Sequence, residues 1–298
     1  MTTEATQPER RPRASSPRNW FDAGADALER GSAGRIRELY ACPLCMRGFR
    51  DPGELTREHV PAEAAGGRKL VLTCRSCNFA AGSQLEKHIG PARTLQDFAA
   101  GTLTVPIPAQ LVVGEDRITV RLTATGSNVR IDEAANASDP AAVQRVLPSL
   151  GFNGAHRTQT QIRLDFGKHH PRKAQLAALK AGYLAAFAMF GYRYIAPLKS
   201  VRQQLSHPDE TIIERFHLAL NADMPSIPTT TLAVGEADGW GPCVIAKVDQ
   251  SGVILPLPLV GTDEDFWERG SRSRAGEVFR FRGGNLGWPR TREYLLHD

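Results

Sequence analysis

Cys42-Pro43-Leu44-Cys45, then Arg57-Glu58-His59-Val60-Pro61, then Gly66-Gly67, then Cys74-Arg75-Ser76-Cys77-Asn78 is the stretch on which the fold turns. Each C-x-x-C pair offers two thiolates from one tight turn, and two such pairs complete a tetrahedral, all-sulfur zinc site. The 28 residues between the pairs exceed the loop of the shortest zinc ribbons, so the insert carries something further. Zinc accounts for Cys42, Cys45, Cys74 and Cys77. It does not account for an acid and a histidine side by side between them, or for an asparagine abutting the last cysteine. That second set has the composition of a catalytic site built on a zinc scaffold.

Working outward, a strand or strand end over residues 55–61 carries the Glu-His pair, and residues 69–73 form a second strand. Gly66-Gly67 lies in the connection, where positive φ costs little. A helix is expected from about Cys77 to His88, with Asn78, Gly82 and Glu86 on one face and Pro91 ending it. Asn78 equally suits a helix N-cap. Gly82 suits close helix–strand packing, and Glu86 suits a solvated helix surface.

These residues together resemble the HNH endonucleases. The likeness covers residues 39–89 and rests on Glu58-His59-Val60-Pro61, Gly66-Gly67, the apolar run Leu70-Val71-Leu72 and Cys74-x-x-Cys77-Asn78, with Gly82 and Glu86 following. It implies a ββα-metal core that cleaves nucleic acid. It further implies that His59 is the general base that deprotonates a water, and that Glu58 and Asn78 hold one catalytic divalent ion. Oxygen ligands of this kind suit Mg²⁺ or Mn²⁺ better than zinc. One position departs from the family pattern: Lys69 stands where many members carry an asparagine that braces the histidine loop, and an ammonium cannot accept a hydrogen bond.

The rest of the chain bounds this reading. Apolar residues make up 41% and charged ones 23%, the balance of an ordinary globular protein. The net charge of +5 permits phosphate binding without requiring it. Arg57, Arg68, Lys69 and Arg75 crowd the motif and suit salt-sensitive contacts to nucleic-acid phosphates, DNA being the favoured partner. The fifth cysteine, Cys243, is expected to be a buried small hydrophobe. An odd cysteine count points to a reduced, cytoplasmic setting. The start of the chain has no apolar signal region, and the apolar run 181–192 is too short for a bilayer, so no membrane partner is expected.

The expected architecture is α+β in three parts. Residues 1–19, with Arg10, Arg11, Arg13 and Arg18 among prolines and serines, form a disordered basic tail. Residues 35–100 form the zinc module. Residues 101–298 form a mixed α+β region with a hairpin at 111–122, a long helix at 171–205 broken or kinked at Pro197, a second helix at 209–220 and strands from 229 onward. His88 is expected to lie out of ligand reach, and His169-His170 to be surface. The rival to a nuclease is a non-catalytic zinc-knuckle module that binds nucleic acid or protein. The oligomeric state is not legible.

Overall fold

The computed structural model describes residues 17–133, 138–149, 160–164, 170–218, 230–249, 251–257, 262–272 and 279–292. The fold is α+β, as the sequence implies. In chain order the first elements are α1 (Pro17–Gly31), β1 (Tyr40–Ala41), β2 (Gly48–Phe49), β3 (Leu55–Val60), β4 (Arg68–Cys74) and α2 (Arg75–Gln84). Next come α3 (Ile89–Ala99), β5 (Ile107–Val113), β6 (Asp116–Thr125), β7 (Asn128–Glu133), α4 (Pro140–Ser149) and β8 (Thr160–Leu164). They are followed by α5 (Pro171–Phe190), α6 (Tyr192–Ile195), α7 (Lys199–Ser206), β9 (His217–Leu218) and β10 (Thr230–Ala237). The last are β11 (Gly241–Val248), β12 (Ser251–Pro256), α8 (Glu264–Arg272) and β13 (Phe281–Gly287).

The chain divides into two compact units, one of Met1–Gly82 with Ala178–Asp298, the other of Ser83–Ala177. The boundary expected at residue 100 is therefore not where the contacts thin out. The cysteine-rich stretch shares a unit with the C-terminal part of the chain, and specific bonds explain why. Tyr183 on α5 donates to the Pro43 carbonyl at 2.7 Å, and Tyr192 on α6 donates to that of Ala41 at 2.7 Å. Both are buried, so each hydroxyl needs a partner inside the protein. The first cysteine turn is thus held from outside by tyrosines far along the chain.

In this larger unit α5 is buried on all sides from Ala178 to Ala188, as befits a core helix rather than a surface one. A Cβ at Gly182 would lie 2.8 Å from both Ala246 Cβ and Val253 Cγ2, so glycine lets α5 lie close against β11 and β12. Those strands belong to a five-stranded antiparallel sheet in the order β13-β10-β11-β12-β9. Buried Asp263 accepts from the Ser200 and Val201 amides at 3.2 and 3.3 Å, which satisfies the orphan donors at the start of α7.

The smaller unit is a four-stranded antiparallel sheet, β7-β6-β5-β8, packed against α4. Ile118, Val120, Leu122 and Ala124 alternate inward along β6, a period-two pattern. The expected hairpin is there, with Gly114 at φ +61 in its turn.

Four expectations are corrected. Pro17, Arg18 and Asn19 begin α1 instead of ending a tail, whose residues 1–16 lie outside the described residues. Pro91 does not end a helix: it sits in the first turn of α3, where its missing N–H removes no intrahelical bond. The long helix stops at Gly191, whose φ of +74 is cheap only for glycine, before Pro197 is reached. The helix expected over residues 209–220 is absent in its described part: Gln204 Oε1 accepts from the Ile212 and Ile213 amides, each at 3.0 Å, so a side chain takes the bonds a helix would have made. Residues 219 and 220 lie outside the described residues.

Candidate functional site

The four paired cysteines converge. Their sulfurs all lie within 4.8 Å of one another, a cluster that can hold a metal ion such as zinc. A tetrahedral zinc with Zn–S bonds of ~2.3 Å sets neighbouring sulfurs about 3.8 Å apart. Cys45 Sγ and Cys74 Sγ are 3.8 Å apart, so the donor set fits that ion. Among the described residues this is the only group of three or more His, Cys, Asp or Glu side chains so arranged.

The first pair sits in a turn closed by the Met46 amide donating to the Cys42 carbonyl at 2.7 Å, and the Cys74 amide donates to Cys42 Sγ at 3.3 Å. Packing the thiols together splits their acidities. Hydrogen bonding from Cys42 holds Cys45 and Cys74 below the ordinary thiol range, while the same bonds and burial push Cys42 far above it. Four thiols this close cannot all ionise unless a cation joins them.

Strands β3 and β4 form an antiparallel hairpin that runs directly into α2, so Cys74 ends β4 and Cys77 lies in the first turn of the helix. The connection needs both glycines. Gly66 has φ +75, and a Cβ at Gly67 would fall 1.5 Å from the Pro61 carbonyl oxygen. Gly82 behaves otherwise, since a Cβ there meets nothing within 4 Å. The expected close packing at Gly82 is therefore not found.

Within the hairpin Glu58 pairs with Val71 and His59 with Lys69, leaving Leu70 as the extra residue on β4. Because the irregularity is on β4, alternation along β3 is kept: Glu58 and Val60 take one face, Arg57 and His59 the other. Burial agrees, with Glu58 and Val60 buried and Arg57 and His59 half-buried.

The Glu58 carboxylate is fully engaged. Lys180 Nζ lies 2.6 Å from Oε1, Thr73 Oγ1 donates to Oε2 at 3.1 Å, and both members of the ion pair are 2% exposed. Lys180 was not among the expected site residues and lies 122 positions away in an apolar helix. A charge in so apolar a run was the available signal, because a buried lysine demands a partner.

Asn78 is half-buried on α2, three residues inside the helix, which rules out the N-cap alternative. Arg68, Lys69 and Arg75 are exposed. Arg57 is not: its guanidinium stacks 4.8 Å from the centroid of the Trp20 ring on α1. Phe79, next to Asn78, is 77% exposed. Elsewhere, buried Cys243 has its thiol pushed up to about 12 by desolvation, in keeping with an inert core position. His88 is buried, its ring centroid 6.2 Å from that of exposed His170 with the two planes tilted by 60°, both in the smaller unit, while His169 lies outside the described residues.

No helix among the described residues is long and apolar enough to cross a membrane. Comparison with protein-family models, with characterised proteins and with solved structures gives no match to this chain.

Proposed function

We propose that the protein is an endonuclease of the HNH type, hydrolysing phosphodiester bonds in nucleic acid, with DNA the favoured substrate. The observation that carries this reading is the strand–strand–helix order of β3, β4 and α2 around a four-thiol cluster, with half-buried His59 on the hairpin opposite Lys69. In this reading zinc held by Cys42, Cys45, Cys74 and Cys77 is structural and does no chemistry. A ring nitrogen of His59 takes a proton from the attacking water. Arg68, Lys69 and Arg75 draw the phosphate backbone to the hairpin, and exposed Phe79 suits stacking on a base.

A catalytic Mg²⁺ or Mn²⁺, with Glu58 and Asn78 as its proposed ligands, would supply charge stabilisation at the leaving oxygen. With Lys180 on one oxygen and Thr73 on the other, the Glu58 carboxylate fits a second cation only if the ammonium gives way.

That ion pair favours a second reading, in which the module keeps the hairpin and the zinc but binds nucleic acid or protein without cutting. A buried ammonium at 2.6 Å already neutralises the carboxylate that a catalytic ion would use. Incubation of the purified protein with supercoiled plasmid, with and without Mg²⁺ or Mn²⁺, separates the two. Metal-dependent nicking supports the nuclease, and intact plasmid that is nonetheless bound supports the binder.

A further inference from the structure

The sheet β7-β6-β5-β8 of the smaller unit packs its helices on one face, where Val143 and Val146 of α4 and Phe98 of α3 meet the inward row Ile118, Val120 and Leu122 of β6. Alternation turns Arg117, Thr119 and Arg121 to the other face. Register extends that face across the sheet. Thr119 pairs with Gln110 on β5 and Gln110 with Arg163 on β8, while on the other side Arg121 pairs with Asp132 and Thr123 with Arg130 on β7. Residues directly opposite on paired strands share a face. One surface therefore crosses all four strands and carries Arg117, Arg121, Arg130 and Arg163 against a single described carboxylate, Asp132.

These arginines are exposed. Arg130 is held by Asp132 at 2.9 Å, but among the described residues no ion pair is made by Arg117, Arg121 or Arg163. A solvated sheet face needs only polar residues, and mixed signs avoid self-repulsion, so a surface of one sign is a field without its counterpart. Its geometry selects the counterpart. Arg117 and Arg121 leave β6 about 13 Å apart, and Arg163 leaves β8 about 10 Å from the β6 row. A small anion touches one of them at a time, whereas a polyanion engages all of them together. Duplex DNA carries one negative charge per ~1.7 Å of axis, and arginine's planar fork matches its phosphates. The described part of this face has no aromatic ring on which unpaired bases could stack, and no exposed large apolar side chain to enter a lipid layer.

We propose that the arginine face of the smaller unit is a docking surface for the phosphate backbone of double-stranded nucleic acid, read without regard to sequence. The proposal goes beyond the nuclease reading, because it needs neither His59 nor zinc.

The test uses the full chain, a fluorescein-labelled DNA duplex and no added divalent ion, with affinity measured across a salt series. The triple variant Arg117→Gln, Arg121→Gln, Arg163→Gln should bind at least tenfold more weakly and flatten the slope of log K against log salt by about 2.7, or about 0.9 for each lost contact. A control with the same loss of charge, Arg37→Gln, Arg272→Gln, Arg282→Gln, removes surface arginines already paired with Glu29, Glu268 and Asp238, and should keep the parent's slope. Asp132→Asn removes the acid and releases Arg130, so it should bind severalfold more tightly with a slope steeper by up to about 0.9. Should the triple variant fail to fold, each single Gln variant should show about a third of its slope change.

Parental affinity and slope in the triple variant, or an equal loss in the control, overturns the docking surface. So does a parent with no affinity for the duplex, or an effect of these arginines confined to binding of phosphatidylserine vesicles. A parent that binds through the face yet never nicks plasmid supports the surface while the catalytic reading fails. A parent that nicks, with the triple variant binding and nicking equally well, does the reverse.

Discussion

Lys180 Nζ lies 2.6 Å from Glu58 Oε1, and both side chains are 2% exposed. The pair joins a core helix to the hairpin that bears His59, and it does so where water cannot screen it. Such a pair adds little over a well-packed apolar substitute, but breaking one side leaves an uncompensated charge inside the protein.

Lys180→Met should therefore cost about 3–5 kcal/mol, and Glu58→Gln a comparable amount. The double variant should cost much less than the two singles together, because no lone charge remains. Urea unfolding of all four proteins closes the cycle. Additive losses would mean that the two side chains are not paired in solution.

Metal analysis of the purified protein should give about one zinc per chain. Cys74→Ser should lose that zinc and unfold the hairpin region, since a ligand and its share of folding energy go together. Zinc affinity should fall as the solution is acidified, because thiolates are the ligands and protons compete for them. Well-folded protein without zinc would contradict the assignment.

Tyr183→Phe tests whether the first cysteine turn is held from α5. The variant removes the hydroxyl that donates to the buried Pro43 carbonyl and keeps the ring. A loss of about 1–3 kcal/mol is expected from the orphaned acceptor, together with faster zinc release to a chelator. Zinc release at the parental rate would detach α5 from the metal site.

Cys243 should resist alkylation in the native protein at pH 8, since burial holds its thiol protonated up to about 12. The sign follows from linkage. The unfolded thiol ionises near ~8.5, so between that value and about 12 the unfolded state binds fewer protons, and this residue's contribution falls as pH rises. A steeper alkaline loss of stability in the parent than in Cys243→Ala is the expected outcome. Rapid modification without unfolding would contradict the burial.

The metal cluster was legible because cysteine spacing alone dictates how two turns can share one ion. The hairpin expected at 111–122 was legible because Ile118, Val120 and Leu122 alternate and Gly114 supplies a turn that most residues cannot make; its strands extend to 107 and 125 in the structure. What escaped depends on partners far along the chain. Lys180 reads as a stray charge in an apolar run until Glu58 is set against it. Arg57 reads as a phosphate contact from its neighbours, and only the fold brings it onto Trp20. The segment after α7 carries enough apolar residues for a helix, but the Gln204 side chain captures its amides first. Local pattern decides a structure only where no distant side chain competes for the same backbone.

Plasmid nicking by His59→Ala, set beside the parent in Mg²⁺ and in Mn²⁺, tests the central claim most directly. The substitution removes the proposed base and leaves the four cysteines, Glu58 and Asn78 untouched. The parent should nick, and the variant should nick at least ~10²-fold more slowly with zinc content and DNA affinity retained, the scale that general-base catalysis contributes. A variant that cuts as fast as the parent, or a parent that binds DNA and cuts with neither metal, would contradict it.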